Sequence, residues 1–385
     1  MDFRVTENEE EAIHTAEEVT QLFGPDYWLS KYENREFPLE FWREITQRRL
    51  TGYITPRDSG GLGNSFLKFC LLVEKLAEGG AGFGLYSLIS SNLTSVILQE
   101  HGGEEVRGVA EEIINYGVLV GLAITEEDSG SDVFAIKTTA RKVEGGFILN
   151  GEKTFVNNIK HSTYYMVLAK TSSKQTGGRN RELTLFLLNT KREGVSFREL
   201  DKMGMDYTSL GVMRLDNVFV EDNMVIGDLG NGWKILTKAL NADRIAYAAL
   251  AVGVGKMALN IATEYAKDRV VFNRPIGSNQ GVQFPLAEAW ILLESAWTHV
   301  LKAAWLYDAG ERTDVDACMV KYAATYAMFK SLKAAMTALG GHGYLRKFHV
   351  ERLIRDGWIL ASGPISQELA LAYVASRGLG LPRSF

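Results

Sequence analysis

The sequence predicts an α+β chain in three parts: an N-terminal all-α domain over residues 1–120, a middle β-barrel domain over 121–228 and a C-terminal four-helix bundle over 229–385. Three observations predict it. The chain has 385 residues, more than one hydrophobic core usually serves. Apolar residues recur at helical spacing in its first and last thirds. Between them the pattern shortens to strand-like segments separated by Gly and Asn turns.

From Glu9 to about Tyr116 the period is helical: Phe41, Trp42 and Ile45 repeat at three and four, as do Phe69, Leu72, Val73 and Leu76. The cluster Asp58-Ser59-Gly60-Gly61-Leu62-Gly63 interrupts it with a loop. From Val118 to about Gly227 the segments Ala140–Val143, Phe147–Leu149, Tyr164–Leu168, Leu183–Leu188 and Gly211–Leu215 read as short strands. Gly145-Gly146 and Asn150-Gly151 read as turns between them, Asn-Gly being a strong hairpin cue. Strands so spaced indicate a compact barrel or sandwich. From Gly232 the helical period returns, first in Leu236, Ala239 and Leu240, then in Ile245–Arg269, Val282–Tyr307 and Val315–Leu339. Those lengths suit a four-helix bundle.

Bulk properties exclude several functions. The 42 basic and 47 acidic side chains give −5 with no clustered basic run, which argues against a nucleic-acid partner. Cys70 and Cys318 stand far apart and outside any CxxC pattern, so neither a disulfide frame nor a metal site is expected. The start, MDFRVTENEEEAIH, lacks the basic and apolar regions of a signal peptide. The longest nearly apolar run, Ile245 to Gly255, stops at Lys256, short of the about 20 residues that span a bilayer. A cytoplasmic protein without a membrane span is expected.

The tract Ala123-Ile124-Thr125-Glu126-Glu127-Asp128-Ser129-Gly130-Ser131-Asp132 leads a strand into a polar loop. Small residues and hydroxyls there let backbone N–H groups approach a ring or a phosphate. Its acidic residues lack the spacing of a calcium loop, and the Gly falls in the wrong place. The tract resembles the central signature of acyl-CoA dehydrogenases, and the resemblance extends over essentially the whole chain. Phe37-Pro38 through Gly60-Gly61-Leu62-Gly63 is similar to the family's N-terminal helix pair and turn. Asn150-Gly151-Glu152-Lys153-Thr154-Phe155-Val156-Asn157 resembles the hairpin that flanks the flavin, with Asn157 where the family usually has Ser or Thr. Met203-Gly204-Met205 and Asp216 to Val220 resemble the exit from the β domain.

The resemblance implies FAD as cofactor, contacted by Thr125, Gly130, Ser131, Phe155 and Asn157. Arg269-Val270-Val271-Phe272-Asn273-Arg274 and Gln280-Gly281 resemble the segment that reaches a neighbouring subunit's FAD, with Arg269, Phe272 and Gln280 acting across the interface. A planar guanidinium suits a pyrophosphate. This implies a homodimer or homotetramer. Gly340-Gly341-His342-Gly343-Tyr344 matches the late Gly-rich signature, placing Gly341 at the cofactor; Thr337 stands where the family has Gln. His342, with no nucleophile or carboxylate near it in sequence, reads as structural. Gly253-Val254-Gly255-Lys256-Met257-Ala258 fits a dinucleotide-binding pattern but has no strand before it, so it reads as helix packing.

Dehydrogenation of an acyl thioester needs a base for the α-proton while the β-hydrogen leaves as hydride. In most of the family the base is a Glu shortly after the Arg-Asp pair, here Arg355-Asp356. The corresponding slot holds Pro364, within Ala361-Ser362-Gly363-Pro364-Ile365-Ser366-Gln367-Glu368. Ser366 falls on the Thr that contacts flavin. Glu368, four residues past the slot, is placed with it and is a second candidate base. A minority branch, resembling isovaleryl- and long-chain acyl-CoA dehydrogenases, carries a Glu immediately before the Arg that opens the first long C-terminal helix. Asp243-Arg244 matches that pair, one methylene shorter. Asn241-Ala242-Asp243 also reads as helix-start chemistry, so base, helix start and absence of any base all stand.

Arg244 and Tyr86 are the candidate substrate contacts, Tyr86 lying in a stretch that resembles the helix bordering the acyl chain. The implied function is α,β-dehydrogenation of an acyl-CoA or carrier-protein thioester. Electrons would pass to an electron-transfer flavoprotein or similar acceptor. The alternatives are a flavin-dependent monooxygenase on the same fold and an inactive flavoprotein serving as a binding module.

Overall fold

The computed structural model describes residues 7–171 and 183–384. Six helices come first: α1 (Glu7–Leu22), α2 (Pro25–Asn34), α3 (Leu39–Gln47), α4 (Phe66–Leu76), α5 (Tyr86–His101) and α6 (Glu104–Tyr116). Eight strands follow: β1 (Val120–Ala123), β2 (Thr139–Val143), β3 (Gly146–Asn157), β4 (Tyr164–Thr171), β5 (Leu183–Asn189), β6 (Val195–Glu199), β7 (Leu210–Glu221) and β8 (Val225–Ile226). Then come α7 (Gly232–Asp268), a small hairpin of β9 (Val270–Val271) and β10 (Arg274–Pro275), α8 (Gln280–Asp308), α9 (Asp314–Leu339) and the short α10 (Val350–Gly357), α11 (Ile359–Ser362) and α12 (Gln367–Tyr373).

The eight strands form one sheet in the order β6-β7-β3-β2-β4-β5-β8, with β1 parallel to β4. The sheet curls on itself, because Phe147 and Leu149 of β3, Val167 and Ala169 of β4 and Met213 and Leu215 of β7 share one core. The alternate residues of β4, Met166 and Leu168, face the other way, onto Leu98 of α5 and Val109 of α6. Period-two alternation thus gives β4 two buried faces, one inside the β domain and one against the helices.

Glu144 and Gly145 make the β2–β3 turn, with Gly145 at φ +73° and Val143 paired to Gly146. Asn150-Gly151, expected as a hairpin turn, instead lies inside β3 at a break in its register with β7. Thr138 explains it: a Cβ on Gly151 would come within 2.4 Å of its Oγ1, so Gly serves a close approach within a bulge.

Burial dominates the helical part. Every residue from Ile245 to Gly255 is buried, the expected fate of the apolar run. Helices α7, α8 and α9 pack on one another, with α4 laid on α7 and α8 and α12 against α9. The helix start expected at Asn241-Ala242-Asp243 is not there. Helix α7 begins at Gly232 and runs unbroken, so Asp243 sits three turns inside it. The apolar side chains Ile235 and Leu236 anchor those first turns on the β domain, and that packing extends the helix past the polar triplet.

Candidate active site

Helix α7 changes partners at Asp243. Ile235 and Leu236 belong to the core shared with the sheet, whereas Ala242, Ile245 and Ala246 belong to the helical core. Asp243 and Arg244 remain half-buried between those buried neighbours. Among the described residues no donor is bonded to the Asp243 carboxylate. Burial raises it to about 7, against the opposing pull of Arg244. Its charge in turn raises the phenols of Tyr86 and Tyr247, after burial itself. Tyr247 lies four residues along the same helix face, and its ring centroid is 6.2 Å from that of Tyr86.

Tyr86 is the first residue of α5, set there by a break between α4 and α5. Gly80 at φ +118° and Gly82 at φ +48° take backbone conformations that cost little only in glycine. Consecutive residues of β3 and the turn after it then bond consecutive residues of α5. Asn157 Nδ2 donates to Tyr86 Oη at 2.8 Å, and Asn158 Nδ2 donates to Ser87 Oγ at 2.9 Å. The Asn157 carbonyl also accepts from Tyr165 Oη at 2.8 Å. These bonds join Asn157 to Tyr86 across two separate elements, and the Asp243 carboxylate on a third acts on the Tyr86 phenol.

The strand carrying Asn157 is bulged between Lys153 and Val156. Phe155, at the bulge, has φ +54° and is 60 % exposed, while Thr154 and Val156 on either side are buried. A bulge re-aims a side chain, and a bulky residue at positive φ is held there by its surroundings. The Thr154 N–H donates to the Thr125 carbonyl at 2.9 Å, which joins the two tracts.

Beneath them lies an ion pair that sequence reading missed. Lys153 Nζ, fully buried, donates to Glu126 Oε1 at 2.8 Å and to the Ile124 carbonyl at 2.9 Å. Glu126 also accepts from the Thr138 hydroxyl and N–H at 2.6 and 2.9 Å. Burial pushes the Glu126 carboxyl up, but these donors outweigh it and hold it below its ordinary value. Lys153 is drawn down to about 8 by burial, with Glu126 opposing. The loop so fixed exposes Gly130 and Ser131, and a Cβ at Gly130 would meet nothing within 4 Å.

An exposed ring on a bulge, an amide beside it and an open Gly-Ser loop on a buried staple fit a planar, phosphate-bearing cofactor such as FAD. Ser366 and Glu368 lie at the α12 start. Ser366 caps that helix, accepting from the Leu369 N–H at 3.1 Å, and Glu368 is exposed in its first turn. Arg244, next to Asp243, has its guanidinium 3.9 Å from Cys318 Sγ of α9, and Lys321 lies one turn beyond Cys318. Lys321 Nζ donates to the carbonyls of Leu360 and Ile365 and to Gln367 Oε1, which holds the segment containing Pro364.

Arg269, Phe272, Gln280 and Gly341 gather elsewhere. Arg269 caps the far end of α7, 26 residues from Asp243 and so roughly 39 Å away along the axis. Phe272 occupies the β9–β10 turn at φ +52° and is 94 % exposed; Gln280 is exposed just after it. Gly341 joins them through its neighbour His342, whose Nδ1 lies 3.0 Å from Tyr265 Oη, a bond that also gives His342 its structural part. Thr337, in the slot of the expected Gln, bonds the Lys333 carbonyl of its own helix. Tyr247 was legible only as half of an i,i+4 pair, once α7 was known to run through Asp243. No periodic signal marked Lys153 or Lys321.

Comparison with known proteins agrees with this arrangement. Residues 6–109, 121–218 and 230–363 match the N-terminal, middle and C-terminal domains of acyl-CoA dehydrogenases. The chain is 34 % identical to a 3-(aryl)acrylate reductase of Clostridium sporogenes, over 89 % of this chain and 90 % of the relative. It is 30 % identical to the acyl-CoA dehydrogenase FadE12 of Mycobacterium tuberculosis, over 94 % of both chains. The structure of butyryl-CoA dehydrogenase from Megasphaera elsdenii superposes with a TM-score of 0.92 at 27 % identity, covering 98 % of this chain and all (100 %) of the other. With its three domains in this order and its relatives matched over nearly their full length, the chain belongs to the acyl-CoA dehydrogenase family.

Proposed function

We propose that the protein binds FAD and catalyses α,β-dehydrogenation of an acyl-CoA thioester with Asp243 as the base for the α-proton. The observation that carries this is the Asp243 carboxylate, which accepts no hydrogen bond among the described residues, is held up to about 7 by burial, and acts on the phenol of Tyr86, itself bonded by Asn157. A base poised near neutrality takes a carbon-bound proton most effectively at ordinary pH. Arg244, the next residue, opposes the rise and keeps an ionised fraction available. FAD, when bound, supplies the hydride acceptor. Because Asp243 holds its proton about half the time near pH 7, it can also return one to an α-carbon.

Phe155, Asn157, Thr125, Gly130, Ser131 and Ser366 form the cofactor side of this site in our reading, with Arg244 and Tyr86 on the substrate side. Arg269, Phe272, Gln280 and Gly341 lie too far along α7 to share it, which supports their acting at the cofactor of a second copy in a homodimer or homotetramer. The acceptor of the electrons is an electron-transfer flavoprotein or an equivalent carrier.

A monooxygenase on the same fold is the second reading, favoured by Pro364 in the usual Glu slot, since that chemistry needs no α-proton base. Anaerobic titration of the flavin-loaded protein with a set of acyl-CoAs, followed by the oxidised-flavin absorbance, tests both. Bleaching by thioesters supports dehydrogenation. No bleaching, with oxygen consumed when reduced flavin is supplied, replaces it with the monooxygenase.

A further inference from the structure

Helix α10 carries two buried charges one turn apart, Arg352 and Asp356, that the chemistry at Asp243 does not use. Asp356 is bonded to the loop between β6 and β7. Its Oδ1 accepts from the Met205 N–H at 2.5 Å and its Oδ2 from Tyr207 Oη at 2.7 Å. A Cβ on Gly204 would come within 2.6 Å of Oδ1, so the loop approaches as closely as glycine permits. Met205, at φ +56°, ties the loop to itself: its carbonyl accepts from the Thr208 N–H at 2.9 Å, the Thr208 hydroxyl at 3.1 Å and Lys202 Nζ at 2.8 Å. Burial raises the Asp356 carboxyl, with Arg352 first among the groups that oppose it.

The same loop ends against the end of β3. The Ser209 carbonyl accepts from the Asn158 N–H at 2.6 Å, Ser209 Oγ accepts from the Lys160 N–H at 3.1 Å, and Leu210 pairs with Asn157. Asn157 thus takes its place from a strand end that Asp356 holds through the loop. Its partner Tyr86 is held from the same helix. Arg352 Nη2 donates to the Gly80 carbonyl at 3.4 Å, and a Cβ on Gly82 would come within 3.1 Å of the Leu353 side chain, so α10 packs on the glycine break that opens α5. Arg352 Nε and Nη1 have no acceptor among the described residues, which leaves the guanidinium dependent on the charge of Asp356 one turn away. Both halves of the Asn157–Tyr86 bond are therefore referred to one helix.

We propose that Asp356 is a positioning residue for the cofactor: through the Met205–Ser209 loop it fixes Asn157, whose amide bonds Tyr86 with one N–H and keeps the other N–H and its Oδ1 for the flavin. The inference rests on Asn157 standing on the cofactor side. An amide carries two N–H donors and one carbonyl acceptor. Only one of those donors has a partner among the described residues, the one given to Tyr86. To serve a ring and a cofactor at once the amide needs a fixed backbone, which the loop supplies, and a fixed Tyr86, which the glycine break supplies. In this role Asp356 acts on the flavin only through Asn157.

The test is a double-mutant cycle of Asp356→Asn and Asn157→Ala, read from the Kd of the apoprotein for FAD and from the absorbance bands of the bound flavin. Asn157→Ala alone should raise Kd about fivefold, the effect of one hydrogen bond, and shift the bands. Asp356→Asn alone should match it to within about twofold. The double variant should go no further than Asn157→Ala, because residues in one network are not additive. Tyr207→Phe, which removes one donor to Asp356, takes the place of Asp356→Asn if that variant does not fold. Equal factors in both backgrounds, or an Asp356→Asn protein that melts lower yet keeps the native Kd and spectrum, overturns the proposal and leaves Asn157 on the cofactor side. An Asn157→Ala protein with the native Kd and spectrum overturns both.

Discussion

Replacing Asp243 with Asn removes the charge at nearly constant volume and should move activity and stability in opposite directions. Burial holds the carboxyl at about 7 rather than 3.8. A single group of that value is about 9 % ionised at pH 6 and about 91 % ionised at pH 8. The native rate of substrate-driven flavin reduction should therefore rise about tenfold between those values and level off above them. The Asp243→Asn variant has no base, and its rate should fall by about 10²–10⁴ and lose this pH dependence. For stability the sign is set by proton uptake. The unfolded chain releases this proton near 3.8, while the native one keeps it until about 7. Between those values the native state binds more protons, so its stability falls as pH rises through that window and stays low above it. The amide of the variant carries no charge to bury, so Asp243→Asn should melt above the native protein at pH 8 and level with it below pH 4. Stopped-flow absorbance of the anaerobic holoprotein and thermal unfolding at the two pH values read both effects. A variant that still reduces its flavin with substrate at the native rate, or one that melts lower at pH 8, would refute the reasoning.

Three further outcomes follow from other parts of the molecule. Lys153→Met leaves the Glu126 carboxylate buried without its cation, a change that costs about 3–5 kcal/mol; purified protein should carry less FAD, read from the ratio of flavin to protein absorbance. Gly151→Ala drives a Cβ to within 2.4 Å of Thr138 Oγ1 and should lower the melting temperature, by about 1–3 kcal/mol of stability, whereas Gly130→Ala, which faces open space, should leave the melting of the cofactor-free protein unchanged and weaken FAD binding. Phe272→Ser removes a ring that is 94 % exposed in the single chain, so sedimentation should show dissociation toward monomer without loss of helical circular dichroism.

The helical part was legible because its burial is periodic, and β4 and β5 because they are continuous apolar runs. Phe41, Trp42 and Ile45 are all buried on α3, and Tyr164–Leu168 and Leu183–Leu188 fall within β4 and β5, where nearly every residue is buried. What failed was local turn chemistry against tertiary packing. The turn expected at Gly145-Gly146 forms at Glu144-Gly145, whereas Asn150-Gly151, which carries a hairpin signal, stays within β3 because Thr138 packs against that Gly. Asn241-Ala242-Asp243 carries a helix-start signal, but Ile235 and Leu236 find a core on the sheet and draw the helix back to Gly232. The candidate residues Asp243, Tyr86 and Asn157 could be picked from motifs. The meeting of Tyr86 and Asn157 depends on a hydrogen bond between positions 71 residues apart, and no local pattern encodes such a distance.

The segment that holds Pro364 and the helix that holds the proposed base rest on different supports. The shape of the segment is set from below by Lys321, which is fully buried and directs all three of its N–H donors to Leu360, Ile365 and Gln367. It is set at its end by the Ser366 cap on α12. Neither support involves the ring of Pro364. Asp243 lies on a different kind of support. It is three turns inside a 37-residue helix whose neighbouring residues, Ala242 and Ile245, are fully buried, so its Cα has little freedom to move toward a substrate. A carboxylate shorter than Glu by one methylene, about 1.5 Å, must then be met by the substrate rather than reach for it.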